Sequence, residues 1–94
     1  MTVTVFAAKF IKDPDAVLDY QADWSDWLGD DTISSSAWSS GEGISVDSSS
    51  STDTTATVWL SGGASGTNYE VTNHITTADG REDDRTILIK AMDK

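Results

Sequence analysis

The most informative absences in this sequence are cysteine, which does not occur, and positive charge, which is scarce. Without cysteine there can be no disulfide framework, no thiol nucleophile and no zinc site built on thiolates. Lysine and arginine together number 6 against 16 acidic residues, which gives a formal net charge of −10. Such a surface disfavours nucleic acid and anionic lipid, because both partners need basic side chains to bind. It favours solubility and either a basic protein partner or cations.

Long apolar segments are missing as well. No stretch approaches the roughly 20 apolar residues that span a bilayer. The first residues lack the basic segment and the apolar run that define a signal peptide. These absences predict a protein with no membrane partner that is made in the cytosol and is not exported by the signal-peptide route.

Short β-prone segments separated by turn residues occupy the chain, and helical periodicity of useful length is absent. Leu18, Tyr20, Ala22 and Trp24 alternate with polar residues, which is typical of a half-buried strand. The sequence predicts an all-β protein: one Ig-like β-sandwich domain over residues 1–94, with about seven antiparallel strands. The candidate strands are residues 6–11, 17–24, 32–39, a short segment around 44–46, residues 55–61, and the two arms of 66–91.

Residues 66–91 show the clearest local pattern. Asp79-Gly80 between alternating apolar runs predicts a hairpin, because glycine takes the positive φ that such a turn requires. The apolar residues of the two arms fall on one face: Tyr69, Val71 and Ile75 on the first, Ile87 and Ile89 on the second. Tyr69 also follows a glycine at the start of its strand, which is typical of the tyrosine corner of Ig-like sandwiches.

Two segments depart from simple alternation. Trp38 breaks parity with Ile33, which predicts a β-bulge or a shifted boundary in that strand. Serine, threonine and aspartate make up all of residues 47–54. Side chains this hydrophilic are unsuited to burial, so we expect a mobile loop there.

Catalytic signatures are lacking. His74 is the only histidine, and its parity is opposite to that of Tyr69 and Ile75, so we expect it to face solvent or a sheet neighbour. Nothing in the sequence supplies the serine and carboxylate partners that a catalytic base would need, and no serine lies in a Gly-x-Ser-x-Gly setting. The sequence therefore predicts no enzymatic activity and no cofactor.

Acidic residues cluster in three turns, which raises the question of calcium. The spacing of an EF-hand is missing, although loops at one end of a sandwich could converge on an ion. We favour solvated, aggregation-resisting turns over a metal site. The clusters are Asp13 with Asp15, Asp30 with Asp31, and Glu82 with Asp83 and Asp84.

Four tryptophans allow two interpretations. In a chain with few aliphatic residues the core needs large rings, which favours burial of Trp24, Trp38 and Trp59. Trp27 is then the one most exposed. An exposed tryptophan on a β-sandwich can stack on sugar rings, so a carbohydrate- or cell-surface-binding module is the alternative function.

Three runs of the sequence resemble a family of short proteins encoded by tailed phages and prophages. They are LDYQADWSDWLGDDTISSSAW, then TATVWLSGG, and finally GTNYEVTNHITTADGREDDRTILIK. The resemblance covers most of residues 9–90, and the pair D-W-S-x-W-L and T-x-D-G-R is its most distinctive part. It implies an Ig-like, non-enzymatic virion component of the tail with a fibre-to-tail adaptor role. The chain would be made in the bacterial host cytoplasm and would bind other tail or virion proteins.

Five residues are candidates for the interface with such partners: Trp27, Asp30, Asp31, Arg81 and Arg85. The two arginines lie near Asp83 and Asp84, so we expect them to pair locally and pin the turn, or else to bind a partner's acidic groups. Self-association is a further expectation, since residues 2–7 could pair as an edge strand with a neighbouring sheet.

Overall fold

A computed structural model describes residues 8–92, which form seven strands and one short helix. The predicted all-β architecture is confirmed. The elements are β1 (Ala8–Lys12), β2 (Leu18–Asp23), α1 (Ser25–Leu28), β3 (Ile33–Ser40), β4 (Ile44–Ser51), β5 (Thr55–Gly62), β6 (Thr67–Thr77) and β7 (Glu82–Ala91). The expected edge strand at residues 2–7 lies outside the described residues.

The strands form two sheets that pack face to face. One sheet has the order β1-β7-β6-β3 and the other the order β2-β5-β4. The pairs β4–β5 and β6–β7 each lie within one sheet, and the other sequential connections cross between the layers, in the arrangement of an Ig-like sandwich. The expectation that every strand is antiparallel was wrong for β1, which pairs parallel to β7. The turn at residues 13–17 moves the chain to the second sheet after β1, so β1 never meets a sequential neighbour.

Alternating side chains from both sheets fill the space between the layers, because successive strand residues point to opposite faces. Trp38 packs against both groups of buried residues. The larger group is Tyr20, Ile44, Val58, Leu60, Tyr69, Val71, Ile87, Ile89 and Ala91. The smaller group lies under α1 and consists of Ala22, Trp24, Leu28, Ile33 and Ile75.

The predicted tyrosine corner is present. The Ala64 backbone N–H donates to Tyr69 Oη over 2.8 Å, which ties the start of β6 to the preceding loop. Gly43 lies against the same ring at φ +97°, and a Cβ at that position would be 3.0 Å from the tyrosine. The close approach requires glycine there, since both the φ value and the contact exclude a side chain.

Asn73 is the buried polar residue that connects the layers. Its Oδ1 accepts the indole N–H of Trp24 over 2.9 Å, and its Nδ2 donates to Ser36 Oγ and Ala37 O over 2.9 and 3.1 Å. The amide therefore joins β6 to β3 and to the end of β2. All of its bonding groups have partners, as a fully buried amide requires.

The structure corrects several boundaries. Residues 47–51, expected in the mobile loop at 47–54, form the second half of β4, in which residues 48–51 pair with β5. The hydrophilic side chains stay exposed, because an edge strand needs only its backbone groups for the ladder. Between β2 and β3 the chain forms the helical turn α1. The irregularity predicted for β3 is confirmed as a register shift between Ile33 and Ser35.

Candidate functional site

Helix α1 and the β6–β7 turn meet at one end of the sandwich, where Arg81 connects them. Its Nε donates to Asp31 Oδ2 over 3.1 Å, and its Nη2 donates to the Leu28 carbonyl over 2.9 Å. The guanidinium also lies 4.3 Å from the ring centroid of Trp27. One side chain thus bonds a carboxylate, a helix carbonyl and an aromatic face. This is a use of the planar guanidinium that lysine cannot reproduce.

Asp31 is the acceptor at the centre of this junction, and its side chain is only 3% exposed. Its oxygens also accept the backbone N–H groups of Thr32 and Asp79. A hydrogen bond from the Thr77 hydroxyl is the largest cause that lowers the pKa of Asp31, with the other donors adding to it, to about 2. The carboxylate is therefore ionised at neutral pH and holds the two loops together.

Arg85 makes a similar contact with the buried ring of Trp24. Its guanidinium lies 4.0 Å from the ring centroid of Trp24, and its Nη1 donates to the Asp23 carbonyl over 2.7 Å. Trp24 and Trp27 meet edge to face with centroids 5.4 Å apart. We call Trp24, Trp27, Asp31, Arg81 and Arg85 the arginine–tryptophan cluster, in which two stacked cations enclose two rings.

The structure brings together four of the five predicted interface residues: Trp27, Asp31 and Arg81 in direct contact, and Arg85 through Trp24. Asp30 is exposed beside them. The expectation that the arginines pair with Asp83 and Asp84 was wrong. Asp84 points to the outer face, whereas Arg85 lies opposite the buried Asn73 and reaches the other layer.

His74 lies on the outer face of β6 and is half exposed, as its parity predicted. Two carboxylates that the sequence did not indicate as partners of His74 are bonded to its ring. Its Nδ1 is 2.5 Å from Asp84 Oδ1, and its Nε2 is 3.1 Å from Glu82 Oε1. These two bonds, that of Asp84 first, raise the pKa of His74 above its usual value. Both ring nitrogens are therefore engaged by carboxylates of β7.

An ion site would require acidic side chains of the clusters to converge on one point. Within residues 8–92, no group of three or more histidine, cysteine or acidic side chains is arranged to hold a metal ion. The two carboxylates at His74 bond different ring nitrogens and do not converge on one point. The same part of the chain has no helix long and apolar enough to cross a bilayer.

The tryptophans are distributed differently from the prediction. Trp24 is fully buried and Trp38 is half-buried, but Trp59 is 41% exposed on the outer face of the three-stranded sheet. Trp27, expected to be the most exposed, is half-buried beneath Arg81. The position of Trp59 follows from its neighbours, because Val58 and Leu60 both point inward and leave the residue between them outward.

Comparison with known proteins gives one family. A family model described as podophage GP4 fiber-tail adaptor protein gp77 matches residues 12–90. The match spans part of β1, all of β2 to β6 and most of β7, so it includes the arginine–tryptophan cluster and the hairpin. No curated protein matches the chain.

Proposed function

Because the chain belongs to the podophage fiber-tail adaptor family, we propose that it is a tail component of the virion that joins fibre to tail by binding other tail proteins. Such a protein acts by binding other proteins and not by catalysing a reaction. The family match over residues 12–90 is the observation that carries this proposal. The engagement of both nitrogens of the only histidine is in keeping with it.

We further propose that the end of the sandwich carrying the arginine–tryptophan cluster is one contact surface. The internal bonds of Arg81 and Arg85 fix the two loops before any partner arrives, so little ordering entropy is lost on binding. Arg81 remains 44% exposed after making those bonds. Asp30, also exposed and beside it, is free to contact a partner.

The experiment uses virions of the phage that encodes this chain, with the protein quantified by mass spectrometry of purified particles. We expect wild-type chain in the tail and a reduced copy number for Asp30→Lys. Asp15→Lys is the matched control, because it makes the same charge change in the β1–β2 turn at the opposite end of the sandwich. Absence of the wild-type chain from particles would refute the adaptor role. Equal incorporation of both variants would refute this surface.

The second candidate function, carbohydrate or cell-surface binding, is favoured by one observation. Trp59 is exposed at the middle of a sheet face, with Asp19 and Ser48 as its partners on the adjacent strands. An exposed ring with flanking hydroxyl and carboxylate groups can stack on a sugar and accept its hydrogen bonds. Binding on a glycan array that is lost in Trp59→Ala and kept in Trp27→Ala would support it. A blank array would count against it.

A further inference from the structure

Positive charge is so scarce in this chain that the position of each cation is informative. Of the five in residues 8–92, three are used internally. Lys12 is fully buried and its Nζ donates to the carbonyls of Asp13 and Gly62 over 2.9 and 2.8 Å. Arg81 and Arg85 belong to the arginine–tryptophan cluster. Lys9 and Lys90 are exposed and make no hydrogen bond or ion pair with another described residue.

The parallel pairing of β1 with β7 places these two lysines on the same outer face. Lys9 lies opposite Leu88, and Ile11 lies opposite Lys90. The four side chains form a checkerboard of two cations and two apolar groups. With strands about 4.8 Å apart and a rise of about 3.3 Å per residue, the lysine Cα atoms are roughly 8 Å apart on the diagonal.

A groove of about 290 Å³ follows this checkerboard; we call it the lysine groove. Asn68 and Leu88 also line a second concavity of about 690 Å³ on the same sheet. Ile11 is 50% exposed at the rim, which is high for a large apolar side chain in this fold. The residues lining the lysine groove are Lys9, Phe10, Ile11, Asn68, Leu88 and Lys90.

We propose that the lysine groove binds an extended acidic segment of another tail protein, in which carboxylate side chains alternate with other residues and an apolar side chain contacts Ile11 and Leu88. In an extended chain, side chains two residues apart are about 6.6 Å apart along one face, a spacing that flexible lysine side chains can match. The inference rests on the proposed adaptor function and names the surface and the chemistry of the partner.

Charge provides the specificity of this contact. The chain carries a net charge of −10, so an acidic segment is repelled over most of its surface. The lysine groove is where the described residues offer two unpaired cations beside the exposed Ile11 and the half-buried Leu88. An acidic partner is therefore guided to one place, and wrong contacts elsewhere are disfavoured.

The first test uses amide chemical shifts of the isolated chain with the synthetic peptide Glu-Ser-Glu-Ser-Val-Ser-Val, which places two glutamates and two valines on one face of an extended chain. We expect shifts concentrated at the lysine groove and a Kd that rises roughly tenfold in Lys9→Gln/Lys90→Gln. The matched control is Ser45→Glu/Ser50→Glu, which changes the net charge by the same amount on the outer face of the other sheet. It should bind nearly as wild type, and added salt should weaken all binding.

The peptide arm overturns the proposal if the double lysine variant binds as well as the wild type. The proposal is also overturned if the double lysine variant loses a dimer that the wild-type chain forms, since the groove is then occupied by a second copy of this chain. The second arm compares virions carrying the wild type and the two double variants. Wild-type incorporation with loss of only the lysine variant supports the groove. Equal incorporation of all three overturns the groove and leaves the adaptor function standing, whereas absence of the wild type from particles refutes the adaptor function itself.

Discussion

Replacing Arg81 tests whether the arginine–tryptophan cluster holds one end of the sandwich together. Its stacking on Trp27 at 4.3 Å contributes about 0.5–1 kcal/mol at a partly exposed site. Its charged hydrogen bond to the Leu28 carbonyl at 2.9 Å adds about 1.5 kcal/mol. Arg81→Ala should therefore lower the free energy of unfolding by about 2–2.5 kcal/mol, before any effect on the Asp31 carboxylate.

This change in stability converts to a measurable melting temperature. An entropy of unfolding of about 2.1 cal/mol/K per residue gives roughly 0.2 kcal/mol/K for a chain of 94 residues. Arg81→Ala should then melt about 10 °C below the wild type in thermal unfolding followed by circular dichroism. Arg81→Lys keeps the charge but loses the planar fork, so we expect about half of that loss.

Asp30→Ala is the control, because this side chain is exposed in the same loop and should change stability by less than about 0.5 kcal/mol. Acrylamide quenching should also show greater access to tryptophan in Arg81→Ala, since the guanidinium covers one face of Trp27. Melting of both Arg81 variants within 2 °C of the control, roughly 0.4 kcal/mol by the same conversion, would show that the reasoning about this junction is wrong.

Three further predictions concern the rest of the sandwich. Tyr69→Phe removes the acceptor of the Ala64 N–H and should cost about 1 kcal/mol in the same melting assay, whereas an unchanged midpoint would make the tyrosine corner dispensable. Asn73→Leu leaves the buried Trp24 indole N–H unpaired and should cost about 1–3 kcal/mol in urea unfolding, and a smaller penalty in a Trp24→Phe background would confirm the cause. The raised pKa of His74 means that its bonds stabilise the fold fully below pH 6.5 and lose that effect as pH rises through the folded-state pKa. The stability difference between wild type and His74→Gln should thus be larger at pH 5.5 than at pH 8.5, and a constant difference would contradict this.

The local pattern of the sequence was sufficient to predict the hairpin. Two-residue periodicity identified the buried face, and glycine at φ +87° in the turn fulfils the prediction made from Asp79-Gly80. The observed register is centred on Asp79, so it places Asp84 opposite His74. The carboxylate partner of His74 could therefore have been found by pairing the apolar residues of the two arms.

Other features depend on contacts that no local pattern encodes. Arg81 bonds Asp31, 50 residues away in the sequence, and nothing near either residue indicates the other. Serines 48–51 form a strand because their backbone pairs with β5, although their side chains are typical of a loop. The error at Trp59 was different in kind, since the alternation of Val58 and Leu60 already indicated that it faces outward.

The parallel pairing of β1 with β7 has a consequence for synthesis. β1 ends at Lys12, and the strand that receives it ends at Ala91, 79 residues further along the chain. At a translation rate of about 5–20 residues per second, the synthesis of β7 is completed roughly 4–16 s after that of β1. The four-stranded sheet also lacks the strand between β1 and β6 until then. A nascent chain that stops before β7 therefore cannot close this sheet, and the lysine groove forms only on chains that have completed it.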